Sequence, residues 1–282
     1  MKKVIINADD FGLCRGVNEG IILAYQQGIL TSATLMANAP GFEQAVELAR
    51  QNARLGVGIH LNIIRGQPVA PPEKVKSLLN SKGYFLGSVY AFLRKLMFRK
   101  IDLGEVEEEF RAQIEKALAS KLPISHLDSE KHMHTIPALF KIVMKLGKEY
   151  GIPRTRYINE YCLSLRLGQC FKSVAISLCC FFMKKRIKEH GIIAPDRFYG
   201  ICQSGRMSAL KLKKILMNLE PGASEIMVHP GLMTEELVGL EKKFGSSYIN
   251  NLREGELNAL LEPELKQIIQ DQKILLINFS EL

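Results

Sequence analysis

Two hydrophobic patterns alternate along the chain. Short runs rich in β-branched residues, each ending in polar side chains, are separated by stretches in which apolar residues return at helical spacing. The runs predict strands over residues 3–7, 32–38, 56–63, 124–128, 155–158, 197–201, 225–229 and 273–279. The helical stretches are 17–27, 42–51, 104–118, 136–150, 210–219 and 262–272. In the third of these, Val106, Phe110, Ile114 and Ala117 share one face and charged residues occupy the other. Such alternation, sustained from end to end, builds a parallel sheet with crossover helices, and about eight strands suffice to close a barrel. The expected fold is α/β, one domain over residues 1–282. Residues 68–99 and 159–195 fit the alternation poorly and are read as insertions beside the sheet. No internal repeat marks a solenoid.

Composition narrows the class. The 282 residues hold 38 Lys and Arg against 29 Asp and Glu, a net charge of +9, with 47% hydrophobic and 24% charged residues. These are ordinary globular values, which exclude disordered, collagen-like and disulfide-scaffold chains. The six cysteines form no C-x-x-C pair and no zinc-finger spacing, and are expected to be reduced thiols of a cytoplasmic protein. Lys2 and Lys3 imitate the start of an export signal, but the apolar run after them stops at Asn7. The longest apolar stretch, 174–183, is about half of what a bilayer span needs.

Reactive side chains collect at the carboxyl ends of the predicted strands, where the loops of a parallel sheet converge. Asp9 and Asp10 end the first; His60 and Asn62 end the third; His126, Asp128 and Glu130 end the fourth; His229 ends the seventh. Adjacent carboxylates at the end of a buried strand are costly unless a cation or hydrogen-bond donors compensate. The plainer reading is a helix cap beside a solvated partner. His60 alone also reads as a hydrogen-bonded core histidine. The segment 126–134 is denser, with His126, Asp128, Glu130, His132 and His134 as candidate ligands against a solvated polar loop. One carboxylate, one imidazole and a third nitrogen or oxygen ligand from separate strands suit a catalytic divalent metal with open positions. A second carboxylate beside it can take a proton from water, and a more distant His can protonate a leaving group. The implied chemistry is metal-assisted hydrolysis. No G-x-S-x-G, Walker A or G-x-G-x-x-G motif supports a serine hydrolase, P-loop or dinucleotide enzyme.

Four ordered motifs carry a family resemblance: residues 6–12 (INADDFG), 58–62 (GIHLN), 126–134 (HLDSEKHMH) and 228–231 (VHPG). Together they resemble the YdjC family of carbohydrate deacetylases, which includes chitooligosaccharide deacetylases and a hopanoid-associated branch. The resemblance implies a distorted (β/α) barrel like that of polysaccharide deacetylases. It also implies one divalent ion, Mg²⁺ or Zn²⁺ with Mn²⁺ as a further candidate, and hydrolysis of an N-acetyl group from an amino sugar. By position, Asp10 and His60 correspond to metal ligands, Asp9 to the general base and His229 to the general acid. The family's third ligand is usually a His where this chain has Glu130. Either Glu130 ligates as a carboxylate, favouring a harder ion, or His132 or His134 substitutes, or activity is weakened. Asn62, Asp128, Arg156, His132 and His134 are expected around the sugar, with a structural ion pair as the other reading of Arg156. A homodimer is common in the family.

The positive charge is uneven. Arg94, Lys95, Arg99 and Lys100 interleave with Phe92, Leu93, Leu96, Met97 and Phe98, and Lys184, Lys185, Arg186 and Lys188 follow an apolar run. Such stretches either lie on an anionic bilayer at the inner membrane surface or are insertion helices with a core face and a solvated basic face, the reading that ordinary helix packing favours. Nucleic-acid binding lacks any accompanying motif. A third class, a catalytically silent sugar-binding or regulatory protein with an altered metal site, rests on Glu130.

Overall fold

The computed structural model describes residues 1–160, 180, 183–184, 186–187, 189–244 and 251–282. Among these, parallel strands β1 (Lys2–Phe11), β2 (Ser32–Leu35), β3 (Gly56–Leu61), β4 (Ile124–Ser129), β5 (Arg197–Tyr199), β6 (Gly222–Val228) and β7 (Ile274–Leu276) form one sheet. The order is β4-β3-β2-β1-β6-β5, with β7 also on β1. β6 runs along Lys2 to Ala8 of β1, so β7 and β2 divide the opposite edge: β7 takes Lys2 to Val4 and β2 takes Asn7 to Phe11. The helices are α1 (Arg15–Gln27), α2 (Phe42–Gln51), α3 (Val89–Met97), α4 (Leu103–Ala119), α5 (Pro137–Glu149), α6 (Ala209–Met217), α7 (Glu235–Phe244), α8 (Asn251–Leu261) and α9 (Pro263–Asp271).

The expected strand at 155–158 is reduced to isolated bridges, Leu127 with Thr155 and Arg154 with Ile193. Pro153 offers no N–H to extend that ladder, and Arg156 carries its side chain into a buried ion-pair cluster. These bridges lead from β4 toward β5, and with the parallel strands and flanking helices that the alternation predicted they give the distorted (β/α) barrel that the resemblance implies.

Strand residues alternate between two buried environments. Val4, Ile6 and Ala8 of β1, with Ala33, Leu35, Val57, Ile226 and Val228, pack against α1, α2, α6, α8 and α9. Ile59, Leu61 and Leu127 pack with α4, α5 and the 68–99 insertion. The intervening positions point to the barrel interior. Its base is closed by Ile5, Ile277 and Phe279, and the Phe279 ring stacks at 3.5 Å on His126. Gly58 is required there, because a Cβ at that position would lie 2.3 Å from the His126 ring. His126 is therefore an interior packing residue, fully buried.

The 68–99 insertion folds into two short 3-10 turns and α3, whose first turn is capped by the Ser88 hydroxyl accepting from Ala91 N–H. Most of the 159–195 insertion, with the apolar run 174–183, lies outside the described residues. Cys14 and Cys180 are buried thiols, but Cys202 is disulfide-bonded, which corrects the expectation that all six cysteines are reduced. Among the described residues no helix is long and apolar enough to cross a membrane.

Candidate active site

The site is built where β1, β3, β4 and β6 end. Between Ala8 and Phe11 the pairing of β1 with β2 slips, three steps on β1 against two on β2. This is a bulge, and Asp10 turns through it with φ of 69°. A regular strand would send Asp9 and Asp10 to opposite faces; a bulge re-aims one of them. Both line the same cavity of about 240 Å³, together with His60, Glu130, His132 and His229.

His60 and Asp128 are cross-strand partners, and His60 Nδ1 lies 2.8 Å from Asp128 Oδ1. That contact leaves His60 Nε2 facing Glu130 Oε2 at 3.3 Å and Asp10 Oδ1 at 3.9 Å. Burial opposes the charged imidazole, yet Asp128 and Asp9, with the hydrogen bonds to Asp128 and Glu130, raise its pKa well above the ordinary value. Glu130 reaches this position because Lys131 and His132 both adopt left-handed backbone, φ 53° and 60°. Such residues persist only where their surroundings over-determine them. Here the Ser129 hydroxyl secures the loop, accepting from His134 N–H at 2.8 Å and contacting His134 Nδ1 at 2.6 Å.

Beneath the cavity lies a second charged layer. Arg156, with no exposed surface, donates to both oxygens of Asp9 at 2.9 and 2.6 Å and to Glu225 at 2.8 Å. It also pairs with Asp128 at 2.9 Å. Burial alone would raise the Asp9 carboxyl, but Arg156, with His60 and His229, holds it far below the usual carboxylate range. Burial instead wins at Glu225, whose carboxyl is pushed up to about 8.

Two groups of ligand-type atoms fall within 4.8 Å of one another: Asp10, His60 and Glu130, and Asp9, His60 and Asp128. The second is already bridged by the Arg156 guanidinium. The first faces the cavity. There Asp10 Oδ2 is held by Arg253 and Glu130 Oε1 by Arg65, so each carboxylate keeps its other oxygen toward His60 Nε2. Burial would raise both carboxyls, but Arg253 beside Asp10 and Arg65 beside Glu130 hold them below the usual range. Two carboxylate oxygens and one imidazole nitrogen, the imidazole oriented by Asp128 from behind, match the donor set and supporting carboxylate of a divalent-cation site.

His229, 19% exposed, sits on the opposite wall, its Nε2 3.9 Å from Asp9 Oδ2. Its backbone N–H donates to Glu256 at 2.5 Å, and its Nδ1 is 3.8 Å from the same carboxylate. Arg253 lines the cavity, and its Nε and Nη1 are buried without an acceptor among the described residues.

The structure thus brings Asp9, Asp10, His60, Glu130 and His229 around one cavity and, of the expected sugar contacts, adds only His132. The other four are not among the residues lining the cavity. Asn62 bends the loop after β3, accepting from Ile64 and Arg65 N–H and donating to Asn38 and the Arg65 carbonyl. Asp128 and Arg156 are fully buried supports, and His134 is fully buried against Ser129. Sequence reasoning missed Arg65, Arg253 and Glu256. For the last two a faint signal exists: Arg253, Glu256, Leu257 and Leu260 recur at helical spacing and form the buried stripe of α8. Half of that stripe is charged, which hides it from a hydrophobic pattern.

The profile of the YdjC-like protein family matches residues 3–271. A carbohydrate deacetylase of Brevibacillus brevis is 36% identical over 281 residues, covering 99% of both chains. One from Thermoanaerobacter pseudethanolicus is 31% identical over the full length of both. Among solved structures, a protein of Enterococcus faecalis V583 with the provisional name cellobiose-phosphate cleavage protein superposes with a TM-score of 0.77 at 28% identity. The match covers 99% of this chain and 98% of that one.

Proposed function

The chain belongs to the YdjC-like family, and from that premise we propose that it is a metal-dependent carbohydrate deacetylase, hydrolysing the N-acetyl group of an amino sugar to acetate and a free amine. The observation that carries this reading is the placement of Asp9 between two groups on one cavity: the convergent Asp10, His60 and Glu130 on one side and His229 on the other.

Asp9 is the base. Arg156 fixes its orientation through two hydrogen bonds and favours its ionised form. A carboxylate held so low is a weak base, so it works only on water that is itself acidified. A divalent cation held by Asp10, His60 and Glu130 would supply that acidity and Lewis-acid polarisation of the acetamide carbonyl. With a carboxylate in place of a second imidazole, the set suits Mg²⁺ or Mn²⁺ better than Zn²⁺. Arg253, with its unpartnered donors, stabilises negative charge growing on the carbonyl oxygen. His229 delivers a proton to the departing nitrogen, and Glu256 anchors its backbone by accepting from the His229 N–H.

A second reading, a silent sugar binder, draws on Arg65 and Arg253, which already neutralise Glu130 and Asp10. The test is acetate release from N-acetylglucosamine oligomers and lipid-linked N-acetyl sugars by protein loaded with Mg²⁺, Mn²⁺ or Zn²⁺. Release that stops on chelation supports the deacetylase. Tight sugar binding without acetate under every metal supports the silent binder and removes the enzyme.

A further inference from the structure

The outer face of α3 is wrong for a helix that faces only water. Phe92 is fully buried, with Val89 and Leu96 packed beside it against the second core, which accounts for one apolar face. The opposite face is Tyr90, Leu93, Arg94 and Met97, again at helical spacing, continued by Phe98. Tyr90 is 76% exposed, Met97 72%, Phe98 63% and Leu93 41%. Side chains this exposed protrude; they do not line a groove. Scattered exposed apolar residues are ordinary, but a contiguous cluster marks an interaction surface.

The charge around this cluster is of one sign. From residue 74 to residue 101 the chain has Lys74, Lys76, Lys82, Arg94, Lys95, Arg99 and Lys100 and no acidic residue. Arg94, Arg99 and Lys100 are exposed beside the apolar side chains. Two copies meeting through this face would bring like charges together, which argues against self-association. Protruding Tyr, Leu, Met and Phe ringed by Lys and Arg suit a surface that accepts apolar side chains at shallow depth and carries negative charge. From this complementarity we infer that α3 docks the protein on an anionic phospholipid bilayer. Both sequence readings of this stretch share the core face and the exposed basic residues; the exposed apolar side chains beside them are what the bilayer reading alone uses.

The position of α3 gives docking a consequence. The insertion is tied to the loop that carries Arg65: Phe85 N–H donates to the Gly66 carbonyl at 2.9 Å and Gly87 N–H to the Ile64 carbonyl at 2.8 Å. A second cavity of about 330 Å³, lined by Arg65, Lys82, Tyr84 and Leu86, lies between the site and the insertion. Through these ties, docking by α3 would bring the Arg65 loop toward the lipid surface and favour a sugar displayed on a membrane lipid. That clause rests on the deacetylase reading; the docking itself does not.

The experiment is vesicle flotation of the full chain, which needs no activity. Vesicles of phosphatidylcholine with about a third phosphatidylglycerol should carry the protein at low salt, and pure phosphatidylcholine should not. The variant Tyr90→Ser/Met97→Ser/Phe98→Ser should lower the floated fraction at least tenfold, and Arg94→Gln/Arg99→Gln/Lys100→Gln by roughly a hundredfold, since each basic residue near the surface contributes about equally. Both should keep the wild-type thermal transition and turnover of a soluble N-acetyl sugar. Absence of flotation at low salt overturns the proposal. So does equal binding by the variants, or a concentration-dependent dimer in light scattering that the apolar variant abolishes. Loss of acetate release with flotation intact would sink the deacetylase reading alone.

Discussion

The outer and inner faces of the sheet are both buried, yet they are made of different chemistry. Outward positions of β1, β2, β3 and β6 are Val4, Ile6, Ala8, Leu35, Val57, Ile59 and Ile226, whose partners are helices. Inward positions are Asn7, Asp9, Thr34, His60, Asp128 and Glu225, linked to each other and to Arg156. Apolar burial is non-directional and forgives volume-conserving change. A buried charge network does not, because each charge is compensated only while its partner stays in place. The helices hold the barrel together, and the interior fixes where Asp9 and His60 point.

Removal of one inward charge is the largest expected effect. Arg156→Met leaves Asp9, Asp128 and Glu225 without their shared cation, and loss of one partner of a buried pair costs about 3–5 kcal/mol. Urea denaturation should show that loss, or the variant should fail to accumulate as folded protein. A midpoint within 0.5 kcal/mol of wild type, by the usual scatter of neutral surface changes, would mean the interior network is not structural and the contrast between faces is false.

A residue at the mouth should behave differently from both. His229 is partly exposed and its ring makes no close pair, so His229→Gln should leave the unfolding midpoint nearly unchanged. Acetate release should fall by at least a hundredfold, the lower range for general acid–base groups. Measurement of kcat and midpoint on one preparation decides this. A variant that unfolds early but retains its rate would move His229 from the chemistry into the support.

How much of this was readable in the residues follows from the same contrast. The outward face declares itself through periodicity, so seven of the expected strands and the six expected helices stand near their predicted places. The strand ends also declare Asp9, Asp10, His60, Glu130 and His229, because polar residues that stop apolar runs in a parallel sheet converge on one rim. Arg65 and Arg253 were not legible. Arg65 enters the site only because Asn62 folds its loop back, and Arg253 arrives on a helix whose buried stripe is half charged. For Arg156 the sequence left a sugar contact and a structural ion pair both open. A lone arginine near a strand carries no sign that three carboxylates from β1, β4 and β6 will enclose it.

On the outward face a single methylene should cost little. Ile6 is fully buried in the larger core, and Ile6→Val should lower stability by about 0.5–1.5 kcal/mol. Acetate release should be unchanged, since Ile6 points away from the cavity. A tenfold loss of rate with that modest destabilisation would show that the outer packing sets the position of Asp9, and the division of labour between the faces would need to be redrawn.

The smallest change tests whether the inner face tolerates one neutral member. Glu225 accepts from Arg156 through Oε1, while Oε2 has no partner. Burial pushes its carboxyl up to about 8 from an ordinary 4.5. The folded chain therefore holds a proton that the unfolded chain releases as pH rises. The stability from that proton is complete below 4.5 and is lost progressively up to about 8. Glu225→Gln keeps the acceptor for Arg156 and cannot ionise. At pH 4, where Glu225 is protonated in the folded and the unfolded chain alike, the two proteins should agree within about 1 kcal/mol. Between pH 6 and 9 the wild type should lose stability that the variant keeps, and the difference in urea midpoints isolates this one group because every other titration is shared. Parallel pH profiles would mean that Glu225 is already ionised inside the barrel. Arg156 would then balance three buried carboxylates at once, and Asp9 would be held less firmly than its geometry implies.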